Sequence, residues 1–122
     1  MSTRSLIGML LPSNHVQYIY CHWDGYLSHN GKLLLNHYND LIKVSDLIDL
    51  SDIKSLEKDI EDIETFEDLI DDTMYLAKSE EDFLNKNHGS DYKYLFKDNQ
   101  WYYASFKDNK FKKLTEDDIK ND

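Results

Sequence analysis

The chain has 122 residues, 40% of them apolar and 13% aromatic, which is enough to build the core of one domain and argues against wholesale disorder. Its 24 acidic and 14 basic residues leave a formal charge of −10, which disfavours direct nucleic-acid binding because phosphate contacts need a basic footprint. A single cysteine, Cys21, excludes an internal disulfide and a multi-cysteine zinc site, and no apolar run nears the ~20 residues that span a bilayer, so a soluble, cytoplasmic protein without membrane contact is expected.

In chain order, Arg4 to Leu11 is short and apolar, and Pro12-Ser13-Asn14-His15 carries turn chemistry. Val16 to Trp23 is β-branched and aromatic, so the two stretches predict a β-hairpin that ends at Asp24-Gly25. Asn30-Gly31 is another turn signal. Lys32 to Tyr38 predicts a short helix with Leu34, Leu35 and Tyr38 near one face. Asn39 is placed to cap a second helix carrying Leu41, Val44, Leu47 and Ile48, and Ile53, Leu56, Ile60 and Ile63 continue the same spacing. Thr65 and Ser79, each followed by an acid three residues on, read as helix caps.

The last third changes character. Tyr92–Phe96, Trp101–Phe106 and Lys110–Leu114 predict a three-strand meander turning at Asp98-Asn99 and Asp108-Asn109, followed by a polar tail, Thr115 to Asp122, that is expected to fray. The whole reads as one α+β domain, residues 1–122. An antiparallel sheet, made of the N-terminal hairpin and the C-terminal meander, has helices packed on one face. The open face would then offer the Tyr, Trp and Lys of the meander as a hot spot or a stacking platform.

Charge is concentrated in the middle of the chain. From Glu57 to Asp82 there are 12 acids against Lys58 and Lys78, so this stretch carries the entire excess. It is expected to form an acidic helical flank, held to the core by Ile60, Ile63, Phe66, Leu69 and Ile70. The candidate partner-binding residues are Glu57, Glu61, Glu64, Asp68, Asp71 and Asp72. Such a surface can mimic a phosphate backbone and occupy a basic nucleic-acid channel. The plainer reading is a solvated face that keeps the protein soluble. A calcium loop is not expected, since no DxDxDG pattern occurs.

A second constellation runs through Cys21-His22-Trp23-Asp24-Gly25-Tyr26 to His29-Asn30-Gly31-Lys32. A thiol nucleophile at Cys21 with His22 as its base is disfavoured, because strand neighbours point to opposite faces, and a small buried Cys21 is the plainer reading. His22, Asp24, His29 and His37 lack the spacing that fixes a metal site. The glycines before Lys32 allow a diluted phosphate cradle at a helix start. Arg4, the one arginine, is expected to pair with Asp24 or Asp40 or to contact a ligand. Arg4, His22, Asp24, His29, Asn30 and Lys32 are therefore the candidate residues of a nucleotide-type ligand site. No catalytic residue, cofactor or metal is assigned.

The start Met1-Ser2-Thr3-Arg4-Ser5, then Tyr18-Ile19-Tyr20-Cys21-His22-Trp23-Asp24-Gly25-Tyr26, then His29-Asn30-Gly31-Lys32 and the leucine-rich segment after it, resemble small uncharacterised phage and prophage proteins with an xTRS start and a YCHWDGY…HNGK motif. Lys43-Val44, Leu50-Ser51-Asp52-Ile53 and Tyr92–Phe96 fit the same pattern. Leu27 stands where those proteins usually carry proline, and Ser51 where they carry glycine. The resemblance covers roughly the first half and implies a phage setting rather than an activity. On that basis the chain is expected to be a non-enzymatic anti-defence protein that inhibits a host CRISPR-type effector through its acidic surface. The alternative is a module that sequesters a nucleotide-type immune signal. A host defence protein is the expected partner, and a homodimer is compatible with the sequence.

Overall fold

The structure is a computed structural model that describes residues 3–65, 75–86, 90–108 and 110–121. The strands are β1 (Ser5–Leu10), β2 (Val16–Cys21), β3 (Tyr75–Ala77), β4 (Tyr92–Lys97), β5 (Gln100–Ser105) and β6 (Lys112–Lys113). They form a six-stranded sheet in the order β3-β2-β1-β4-β5-β6. Neighbours are antiparallel except the central pair, β1 and β4, which run parallel. The hairpin and the meander are thus joined side by side, and the fold is α+β.

The position of β1 follows from its composition. SLIGML is apolar on both faces, and a strand flanked by neighbours on both edges buries both. Ile7 and Met9 point to one face with Ile19, Cys21, Tyr94, Phe96, Trp101 and Tyr103. A π-helical turn (Leu27–Gly31) runs directly into α1 (Lys32–His37), and with α2 (Leu41–Ile48) it covers this face. Leu34, Tyr38, Val44, Leu47 and Ile48 fill the contact. Leu6, Val16, Tyr18, Ala77 and Leu95 point to the other face, beneath Phe83 of α3 (Glu80–Leu84). A Cβ on Gly8 would come within 2.9 Å of the Phe83 ring, so a bare backbone at that position lets α3 sit down. Helices therefore lie on both faces, with the larger pair on one.

Several local expectations change for identifiable reasons. Asn30-Gly31 is not a turn, because both residues lie inside the π-helical turn. The cap of α2 is Asp40 rather than Asn39, with its carboxylate accepting the Lys43 N–H at 2.8 Å. Ile53, Leu56, Ile60 and Ile63 do not extend α2. Ser51 adopts φ 66° and ends it. The chain is then captured by the end of β2: the Ile53 N–H donates to the Tyr20 carbonyl and the His22 N–H to that of Ile53. The segment bridges Cys21 and Thr65 through Ile53 and makes one 3-10 turn at Ile60–Asp62. An apolar side chain every third or fourth residue anchors an irregular segment as well as it marks a helix. Residues 75–77, expected within the acidic helix, instead form β3. The helix expected to start at Thr65 falls outside the described residues. Ser79 does cap α3, accepting the Asp82 N–H.

The expected fraying is not seen over residues 115–121. Thr115 and Asp118 form a reciprocal capping box that starts α4 (Glu116–Lys120), and Ile119 packs against the main core. The aromatic face is also revised. Tyr92, Tyr94, Phe96, Trp101 and Tyr103 all share the face under α1 and α2, leaving Tyr102 on the other, so among the described residues the meander opens no tyrosine-tryptophan platform to solvent. Among the described residues, no helix is long and apolar enough to cross a membrane.

Leu27 and Ser51, the two positions singled out in the sequence, sit at distinctive points of this backbone. Leu27 occupies the first position of the π-helical turn, where proline loses no helical hydrogen bond. Ser51 holds a left-handed conformation that costs a non-glycine residue ~1–2 kcal/mol. Glycine's extra chain entropy offsets roughly 0.5–1 kcal/mol of the gain. Ser51→Gly is therefore expected to raise stability by about 0.5 kcal/mol, seen as a small upward shift of the thermal midpoint. A downward shift would show that the Ser51 side chain contributes more than its backbone conformation costs.

Candidate functional site

The motif residues converge on one end of the sheet. Ser5, Cys21 and Asn30 are completely buried there. The Asn30 Nδ2 donates to Ser5 Oγ at 3.1 Å and to Cys21 Sγ at 3.3 Å. His29 Nδ1 lies 2.9 Å from Asn30 Oδ1, a bond that calls for the Nδ1-protonated tautomer. The Cys21 thiol points to the Trp23 carbonyl at 3.4 Å, and burial pushes its pKa up, so it stays a neutral thiol rather than a nucleophilic thiolate. Gly25 closes the knot: its N–H donates to the Thr3 carbonyl at 2.7 Å and its carbonyl accepts the Tyr94 hydroxyl at 2.6 Å. A buried polar group costs ~1–3 kcal/mol when unpaired, and here each one is answered by another. The xTRS, YCHWDGY and HNGK stretches are in contact because they satisfy one another.

The six candidate ligand residues fall into two groups rather than one pocket, with His29 and Asn30 in the knot and Arg4 and His22 both beside Tyr20. His22 lies on the opposite side of β2 from Cys21, its Nδ1 2.8 Å from the Tyr20 hydroxyl and its ring 5.3 Å from Trp23. Asp24 takes φ 57° in the turn, and Arg4 and Lys32 are exposed. Among the described residues Arg4 makes neither of its expected ion pairs, with Asp24 or Asp40; it lies close enough to Tyr20 to oppose the upward push that burial gives that phenol. The backbone gives the expected phosphate cradle little to work with. The His29 and Asn30 N–H groups both donate to the Tyr26 carbonyl, and the Lys32 N–H points back into the π-helical turn, so these three donors are not offered to an anion. Among the described residues no group of three His, Cys, Asp or Glu side chains is placed to hold a metal ion.

Asp52, which sequence reasoning passed over, is a staple of the same region. Its carboxylate accepts the Tyr20 N–H at 3.0 Å and the Tyr75 hydroxyl at 3.1 Å, fastening the segment after α2 to both β2 and β3. A lone acid followed by isoleucine gives no signal of that role.

The acidic stretch divides. Glu80 is bound to Lys97 at 2.6 Å, and Asp82 accepts the Lys78 N–H at 2.8 Å and lies 3.7 Å from Lys86, so these acids on α3 are answered locally. Hydrogen bonding from the Lys78 backbone holds the Asp82 carboxyl below the usual range. Asp68, Asp71 and Asp72 lie outside the described residues. What remains is a ribbon from Glu57 to Glu64 across the helix-covered side. Leu56 is buried beneath it, and Ile60 and Ile63 pack onto the same core. Asp59, Glu61, Asp62 and Glu64 are exposed and Glu57 is half-buried. Among the described residues one ion pair touches the ribbon, Lys54 to Glu64 at 3.8 Å, with the Glu64 side chain still 78% exposed.

Tyr38 anchors the ribbon from below. Its hydroxyl donates to the Glu57 carbonyl at 2.6 Å, and burial, followed by the charges of Asp59 and Glu57, pushes its pKa up to about 12. Lys43 spans from α2, its Nζ 4.5 Å from the Tyr38 ring centre and 3.3 Å from the Lys58 carbonyl. That contact sets the ribbon beside the start of α2, where Leu41 is 55% and Ile42 76% exposed. No family model, curated protein or solved structure matches the chain.

Proposed function

We propose that the protein is a phage-encoded inhibitor that docks its Glu57–Glu64 ribbon, flanked by Leu41 and Ile42, onto a basic nucleic-acid-binding groove of a host defence effector, a CRISPR-type nuclease being the target class. The observation carrying this reading is the ribbon itself: five carboxylates against Lys58, held to the core through Leu56, Ile60 and Ile63 and answered by a single weak ion pair among the described residues. Fixed carboxylates on a firm backing can follow the charge of a nucleic-acid strand and steer fast encounter with a basic partner. Two exposed apolar side chains beside them supply the desolvated contact that charge alone lacks. The phage setting implied by the motif resemblance supports a defence protein as the target. The mechanism is occlusion, requiring no chemistry from the chain. The nucleotide-sequestering alternative draws no support from the His29, Asn30 and Lys32 N–H groups, which are bonded within the π-helical turn.

The test is capture from host lysate by the tagged wild-type chain and by a Glu57→Gln, Glu61→Gln, Glu64→Gln triple variant, followed by affinity measurement on the protein retained. With each exposed charge worth roughly 0.5 kcal/mol, the triple variant is expected to bind about tenfold more weakly and to show a shallower salt dependence. Equal affinity and an equal salt slope for the two proteins would remove the ribbon from the mechanism.

A further inference from the structure

On the sheet face opposite the ribbon, Lys93 of β4 is only 7% exposed. Its cross-strand neighbours are Leu6 on β1 and Ala104 on β5, both buried and uncharged. The side chain lines a cleft of about 540 Å³ together with Glu81, Leu84, Asn85, Lys86, Phe106 and Asp108. The other charges of that cleft are engaged or turned outward. Lys86 faces Asp82 at 3.7 Å. Asp108 accepts the Ser105 N–H at 2.9 Å and lies 3.4 Å from Lys112. Glu81 is exposed to solvent. Among the described residues, Lys93 has no hydrogen bond and no ion pair.

In a chain where acids far outnumber bases, a buried lysine without a carboxylate is unusual. The stem of Lys93 is covered by the sheet while the ammonium opens on the cleft, since its Nζ is not among the enclosed polar atoms that lack a partner, so the amine can be reached by a small ligand. We propose that Lys93 is a nucleophilic amine that captures a small aldehyde with an apolar body as an imine. Burial lowers the lysine's pKa, which raises the share of the neutral, reactive amine near neutrality. The cleft has the size of a metabolite site, and Leu84 and the Phe106 ring, 67% exposed, offer apolar surface to the aldehyde's body.

The step is balanced without a redox partner. The amine lone pair forms a bond to the carbonyl carbon, the carbonyl π pair moves to oxygen, and a proton passes from nitrogen to that oxygen. The resulting carbinolamine loses water as the C=N bond forms.

The experiment is reductive trapping of the intact protein with benzaldehyde and cyanoborohydride across pH 6 to 10, with sites mapped by peptide mass spectrometry. Lys93 is expected to be modified first among the 13 lysines, at least tenfold faster than exposed Lys32 or Lys58, with its rate reaching half-maximum at a lower pH than theirs. Lys93→Arg should abolish the fast phase while surface labelling is unchanged. Because the wild-type map already ranks the lysines, the result stands even if that variant folds poorly. Labelling that follows solvent exposure, with Lys93 among the slowest sites, would overturn the assignment.

Discussion

Trp101→Ala is expected to lower unfolding free energy by ~3–5 kcal/mol, a large part of the ~5–15 kcal/mol typical of a whole domain. Trp101 is 2% exposed, lies 5.1 Å from the Phe96 ring centre, and donates its indole N–H to the Tyr38 carbonyl at 2.8 Å. Truncation leaves a cavity in the main core and an unanswered carbonyl at the end of α1. Its effect extends to the acidic ribbon, because Tyr38 holds the Glu57 carbonyl through its hydroxyl. Urea unfolding followed by far-ultraviolet circular dichroism measures the loss. Trp101→Phe, which fills most of the volume but removes the donor, is expected to recover all but roughly 1–2 kcal/mol. A loss below ~1 kcal/mol for Trp101→Ala would mean that the helix-covered face is not the principal core.

Gly25→Ala is the second severe change. A Cβ at Gly25 would lie 2.8 Å from Ser5 Cβ and 2.9 Å from the Arg4 carbonyl carbon. The obstacle includes backbone at the start of the central strand, so it cannot be relieved by rotating a side chain. Gly25 is also tied by its own N–H to Thr3 and by its carbonyl to Tyr94. Overpacking of this kind costs about 1–3 kcal/mol, a fall of roughly 5–15 °C in the thermal midpoint of a domain this size. Displacing the turn opens the knot, so the completely buried Cys21 thiol should become alkylated by iodoacetamide much faster than in the wild type. A wild-type midpoint together with an equally protected thiol would show that the close approach of residues 5 and 25 is not required.

The two substitutions also mark how far local pattern reaches. The hairpin, the meander and the Ser79 cap are legible because their signals are local: β-branched and aromatic runs, turn dipeptides, and a hydroxyl three residues before an acid. Cys21 and His22 are correctly separated by strand alternation alone. The same alternation, applied to Trp101-Tyr102-Tyr103, requires half the aromatics to be core but cannot name the half; the register with Phe96 and Tyr94 decides it. The candidate site was less legible. The acids of residues 57–64 are evident from composition, but their irregular backbone depends on Ser51 ending α2 and on β2 pairing with Ile53. The HNGK segment offers a glycine and a lysine in the order a phosphate loop would use. That the His29, Asn30 and Lys32 N–H groups are bonded within the chain follows from Leu27–Gly31 winding as one helical turn.

Composition and period by themselves determined an α+β class, an acid-laden middle and a chain without a multi-cysteine framework, because these depend on counts and on the spacing of neighbours. Only the tertiary structure decided that β1 and β4 pair in parallel, that Ser5, Cys21, Asn30 and Gly25 form one satisfied polar knot, that Glu80 and Asp82 of α3 are answered while most of the ribbon is not, and that Lys93 lines a cleft. Each of these is a contact between residues far apart in the chain. Which distant partners meet is set by the competition to bury apolar surface and pair every enclosed polar group, and no short window of sequence contains both sides of that competition.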